Sequence, residues 1–145
     1  MGNPKGQDRM QLHTYLNYGG NCEQAFRFYE QYLGGKVTML MRHGDQPNST
    51  PVSPEWKDAV LHARMDLGGT ELLGADIPGY QPMRSAYLSL TVASNEEAER
   101  IYALLSEGGQ IFMPMQETFF ASRFAMLRDT FGTSWMLLHP KPQSV

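Results

Sequence analysis

Two histidines stand in stretches where imidazole chemistry is possible: His13 within Leu12 to Tyr18, and His62 within Ala59 to Leu67. A neutral imidazole can ligate Zn²⁺, Ni²⁺ or Fe²⁺, and near neutral pH it can carry a proton. Both stretches alternate as strands do. Val60, His62 and Arg64 oppose Ala59, Leu61, Ala63, Met65 and Leu67, so the apolar set is expected against a helix. His13, Tyr15 and Asn17 likewise oppose Leu12, Thr14 and Leu16. Arg64 suits a carboxylate or phosphate on a ligand, with Glu71 or Asp66 as the alternative partner inside the chain. Cys22, the only cysteine, stands at a predicted helix start, where a thiol's pKa is lowered; no catalytic partner for it is evident.

These groups need elements to position them, and the chain supplies two sets. Sliding it against itself by 74 positions lays Leu12–Tyr18 on Ala86–Val92, Gly34-Gly35 on Gly108-Gly109, and Val37, Met39 and Met41 on Ile111, Met113 and Met115. Between them lie two helical stripes. One starts at the N-cap Asn21, carries Ala25, Phe28, Tyr29, Tyr32 and Leu33, and stops at Gly34. The other starts at the capping box of Ser94 and Glu97, carries Ala98, Ile101, Tyr102 and Leu105, and stops at Gly108. Further on, Asp66, Gly69 and Thr70 match Asp129, Gly132 and Thr133 at an offset of 63. The shorter offset places an insertion at His43–Trp56, whose prolines and turn formers argue for irregular backbone, with Trp56 on a possible lid. Strands are expected at Ala59–Leu67, Thr70–Ala75, Phe124–Arg128 and Thr133–His139. Each half then reads β, α, β, β, β. The class is α+β, as one domain over residues 10–140 with modules of about 10–78 and 85–140. Residues 1–9 and 141–145 read as tails.

Composition narrows the partners. The formal charge is −3, and Lys and Arg are scattered singly, so no footprint for nucleic acid exists. No apolar run approaches the roughly 20 residues of a membrane helix. A lone cysteine and the lack of a signal peptide point to a reducing, cytoplasmic setting.

The repeat is joined by local motifs: Asn21-Cys22-Glu23-Gln24-Ala25 with its downstream Phe-Tyr, Leu61-His62-Ala63, Gln116-Glu117-Thr118-Phe119-Phe120, and Asp129-Thr130-Phe131-Gly132 with Trp135. With these the chain resembles the vicinal oxygen chelate superfamily (glyoxalase, bleomycin resistance protein, dioxygenase), and within it the PhnB-like family. The resemblance implies two βαβββ modules whose curved sheets form a cavity, and a homodimer. It also implies that the superfamily's divalent-metal positions fall on His13, about Leu73, Tyr87 and Met136, of which only His13 is a strong ligand. His62, Glu71 and Glu117 are the possible substitutes. No metal or other cofactor is therefore expected to be obligatory. The expected ligand-binding residues are His13, Tyr15, Asn17, His62, Arg64, Tyr87, Glu117 and Phe119. The function expected is binding of a small polar or amphipathic molecule in the sheet cavity. The alternatives are a metal-assisted isomerase, lyase or hydrolase, and a stoichiometric sequestering protein for a drug or toxin. Met39, Met41, Met113 and Met115 point first to core or dimer packing. No Gly-rich strand-to-helix turn suits a methyl donor.

Overall fold

The computed structural model describes residues 10–45 and 54–142. The tail expected over 1–9 and the middle of the 43–56 insertion lie outside the described residues. Along the chain run β1 (Thr14–Tyr18), α1 (Cys22–Leu33), β2 (Lys36–Arg42), β3 (Val60–Leu67) and β4 (Thr70–Asp76). The second half repeats them as β5 (Leu88–Thr91), α2 (Asn95–Ser106), β6 (Gln110–Gln116), β7 (Ala121–Arg128) and β8 (Ser134–Pro140). Each half builds its own mixed sheet, in the orders β1-β4-β3-β2 and β5-β8-β7-β6. The strand pairings are equivalent too: β1 runs parallel to β4 and β5 to β8, while the other pairs are antiparallel. The sheets do not close into one barrel, so β1 and β5 each keep a free edge.

Helix α1 packs on β2, β3 and β4, and α2 on β6, β7 and β8. The fit of α1 is tight at Gly74 of β4, where a Cβ would lie 2.7 Å from the Phe26 ring. Gly34 ends α1 in the left-handed conformation, φ 78°, which a residue without a Cβ adopts at little cost. The core is continuous across the halves, because Leu16, Phe26, Tyr29 and Met65 join Ile101, Leu127, Trp135 and Leu137 in one buried cluster. Burying such side chains contributes on the order of 2 kcal/mol each, which neither module alone could gather in sufficient number.

Two local expectations need correction. The alternation in β3 breaks at a bulge, where Met41 opposes His62 but Arg42 opposes Val60. The skipped residue moves Val60, rather than Leu61, into the core. The ends of the insertion are not wholly irregular: His43–Asp45 and Pro54–Trp56 each form a single 3₁₀ turn, with the His43 and Trp56 rings 6.0 Å apart.

Candidate functional site

The strand alternation puts several titratable side chains of the first sheet on the face away from α1. There Glu71, Leu73 and Ala75 of β4 share a surface with Tyr15 and Asn17 of β1, with His62 and Arg64 of β3, and with Met39 and Met41 of β2. The polar groups close on one another. His13, one residue before β1, places Nδ1 3.9 Å from a Glu71 oxygen, and Arg64 Nη1 donates to the other Glu71 oxygen at 3.3 Å. The Tyr15 hydroxyl and His62 Nδ1 share a hydrogen bond of 3.3 Å, with the rings stacked at 5.8 Å. Partial burial pushes the Tyr15 phenol up, so the hydroxyl keeps its proton and can donate to an unprotonated imidazole.

The other expected residues lie in the second module. Tyr87 precedes β5, accepts from Arg84 Nη1 at 3.0 Å, and packs edge-on to Phe112. Glu117 pairs with Lys141 at 2.8 Å, and Phe119 is 90% exposed. Lys141 holds the Glu117 carboxyl below its ordinary value. The structure thus brings together His13, Tyr15, His62 and Arg64. Tyr87, Glu117 and Phe119 belong to the second module, away from this set on the first sheet.

A cleft of about 440 Å³ opens between the modules, bounded by strands β1, β4, β5 and β8. Leu72, Leu88, Leu90 and Trp135 form its apolar walls, and Thr14, Thr70, Ser89 and Thr91 bring hydroxyl groups. Of the expected binding residues only Tyr87 lines it. The rest were missed because alternation assigns Thr14, Leu72, Leu88 and Leu90 to the core side, and nothing in the sequence tells a packed core from a gap between two cores. A smaller recess of about 200 Å³ shares Thr14 and takes in Tyr15, Asn17, Gln81 and Met83.

A buried polar knot fixes the walls. Asp129 accepts from the Tyr29 hydroxyl at 2.5 Å, from Trp135 Nε1 at 2.9 Å, and from the N–H groups of Phe131 and Thr133 at 3.0 Å. The Tyr18 and Thr133 hydroxyls lie 2.9 Å apart in the same knot. Burial raises the Asp129 carboxyl above its ordinary value despite these donors, and it pushes the Tyr29 phenol well up.

At the superfamily's metal positions the Leu73 side chain has no donor atom, and Met136 offers only its thioether, 4.0 Å from the Ser89 hydroxyl. Among the described residues no three His, Cys, Asp or Glu side chains converge to hold an ion. The position of Cys22 at the start of α1 does not activate it: the side chain is fully buried, and burial, with Asp76 beside it, drives the thiol pKa far up.

Two βαβββ modules, each a four-stranded mixed sheet carrying one helix, define a glyoxalase-like fold. The chain belongs to the family described as 3-demethylubiquinone-9 3-methyltransferase, which it matches over residues 10–138. It is 31% identical over 144 residues to protein YjdN of Escherichia coli K12, covering 92% of this chain and 98% of that protein. It is similar to the crystal structure of PA1353 from Pseudomonas aeruginosa, at 38% identity and a TM-score of 0.80, covering 90% of this chain and 98% of that one. The PhnB protein from Bacillus cereus shares the fold at 24% identity and a TM-score of 0.76, covering 90% and 99%. Among the described residues no helix is long and apolar enough to cross a membrane.

The family's description implies a methyl donor, and the residues do not fit one. In the turn between β1 and α1 the N–H groups of Gly20 and Cys22 both donate to Asp76 Oδ1, each at 2.9 Å. An internal carboxylate therefore already occupies the backbone donors at this strand-to-helix turn.

Proposed function

We propose that this protein binds a small amphipathic molecule in the cleft between its modules and requires no metal to do so. The cleft itself carries the reading. Its size of about 440 Å³ falls within the range typical of ligand sites, roughly 300 to 1,000 Å³. Apolar walls with a few hydroxyls suit a hydrocarbon body with hydrogen-bonding substituents, and among the described residues no charged side chain lines the cleft. His13, Tyr15, His62 and Arg64 stand on the opposite face of the first sheet and are not part of this cleft. A cytoplasmic setting is part of the proposal, since a reducing compartment suits the free thiol of Cys22. So is a homodimer: Phe119 is 90% exposed and Phe120 43% exposed, and light scattering at increasing concentration should give twice the chain mass.

Purification without chelators, followed by mass analysis and a thermal-shift screen, tests the binding reading. A ligand should raise Tm with or without a chelator present. Leu90→Trp, which fills the cleft, should abolish the shift while the protein stays folded. Stoichiometric metal that is lost in His13→Ala would overturn the metal-free reading. A ligand bound equally well by Leu90→Trp would move the site out of the cleft.

A further inference from the structure

Seven arginines lie among the described residues, and five of them have a carboxylate within 4.0 Å: Arg27, Arg42, Arg64, Arg100 and Arg123. The exceptions, Arg84 and Arg128, have no carboxylate of a described residue within that distance, and they lie together. The Arg84 guanidinium carbon is 4.1 Å from the centre of the Phe112 ring, and that of Arg128 is 5.6 Å from the same centre. A neutral ring can attract each cation, but it cannot cancel the repulsion between them. Their other partners are neutral as well. Arg84 donates to the Tyr87 hydroxyl at 3.0 Å, and Arg128 to Gln110 Oε1 at 3.0 Å and the Met83 carbonyl at 3.4 Å. A guanidinium carries five N–H donors, so each retains donors for something else.

The backbone is arranged around this pair. Ser85, between Arg84 and Tyr87, is the only described non-glycine residue with positive φ, at 67°. That conformation is strained for a residue with a Cβ, and it sits in the segment that brings both neighbours to Phe112. The same segment is tied down at Met83, whose carbonyl accepts from the Ser134 hydroxyl at 2.6 Å.

We infer that Arg84 and Arg128, with the Tyr87 hydroxyl beside them, form an oxyanion-binding site at the mouth of the intermodule cleft. The ligand class is a small molecule with an apolar body and one carboxylate, phosphate or phosphonate group. Its oxygens replace the missing carboxylate partner through forked N–H···O bonds. Tyr87 links the two regions, because it accepts from Arg84 and also lines the cleft. The inference rests on the proposed binding in the cleft.

Titration calorimetry with hexylphosphonate, hexanoate and neutral 1-hexanol tests it and separates the two readings. At least one of the acids should bind about tenfold more tightly than hexanol, and raising salt from about 50 to about 500 mM should erode only that advantage. Arg84→Ala, at an exposed position, should remove the advantage and leave hexanol binding unchanged, while Arg84→Lys should restore part of it. Arg128→Ala should act in the same way, with Tm recorded because its hydrogen bonds also anchor Met83. Whichever acid binds more tightly identifies the anion as carboxylate or phosphonate. If hexanol binds as well as the acids, or if the acids bind Arg84→Ala unchanged, the oxyanion site is overturned and the cleft reading stands. If none of the three binds, both fall.

Discussion

The two modules share a backbone plan but start their helices differently. At α2 the cap is local: Ser94 Oγ accepts from the Glu97 N–H at 3.0 Å, and the Glu97 carboxylate accepts from the Ala93 N–H at 3.1 Å. At α1 Asn21 makes no side-chain cap, and the acceptor is Asp76 at the far end of β4. That carboxylate also accepts from the Val60 N–H at 2.8 Å, so it joins a helix start to two strands. The 63-residue offset puts His139 at the equivalent place, where its Nδ1 lies 2.9 Å from the Val92 carbonyl and must carry the proton they share. A duplicated scaffold has thus met one requirement, neutralised donors at a helix start, once through sequence neighbours and once across the sheet.

The largest expected effect breaks the feature that holds the modules together. Asp129→Ala strands the Tyr29 hydroxyl, the Trp135 N–H and two backbone N–H groups, and should cost about 4 kcal/mol in urea unfolding. Next comes the contrast between the caps. Asp76→Ala leaves three N–H groups without an acceptor and should cost about 3 kcal/mol, against about 1 kcal/mol for Ser94→Ala. Equal losses for these two would remove the distinction between remote and local capping. The smallest effect is in pH. Asp129 has a folded-state pKa raised above its unfolded value, so its contribution is fully present below the ordinary aspartate value of about 4 and is lost as pH rises through the raised one. The stability of the wild type relative to Asp129→Asn should fall across that window and level off above it. A difference that rises with pH would show that the hydrogen bonds outweigh desolvation.

Much of the fold was legible because it is periodic. The alternation of Leu12–Tyr18, the stripe through Ala25 and Tyr29, and the paired glycines are local signals that the structure reproduces. What escaped the sequence is nonlocal. No pattern ties Asp76 to Gly20 or Asp129 to Tyr29, since each link depends on how distant elements come to rest. The bulge at Leu61 is invisible for the same reason, because it exists only relative to β2. For the candidate site, alternation found the face that carries Tyr15, His62 and Arg64. It could not find the cleft, whose walls read as ordinary core, nor Arg84, whose significance comes from the carboxylate it lacks.

The contact between Tyr29 and Asp129 spans 100 positions of sequence. One consequence concerns autonomy. Two modules of one plan that share a single core depend on each other, so cutting the chain between them should yield two fragments that regain structure only when mixed. Amide hydrogen exchange should likewise report the deepest protons of both sheets opening in a single event. Freed from the task of holding themselves together, the outward faces of the copies can diverge in chemistry without loosening the whole.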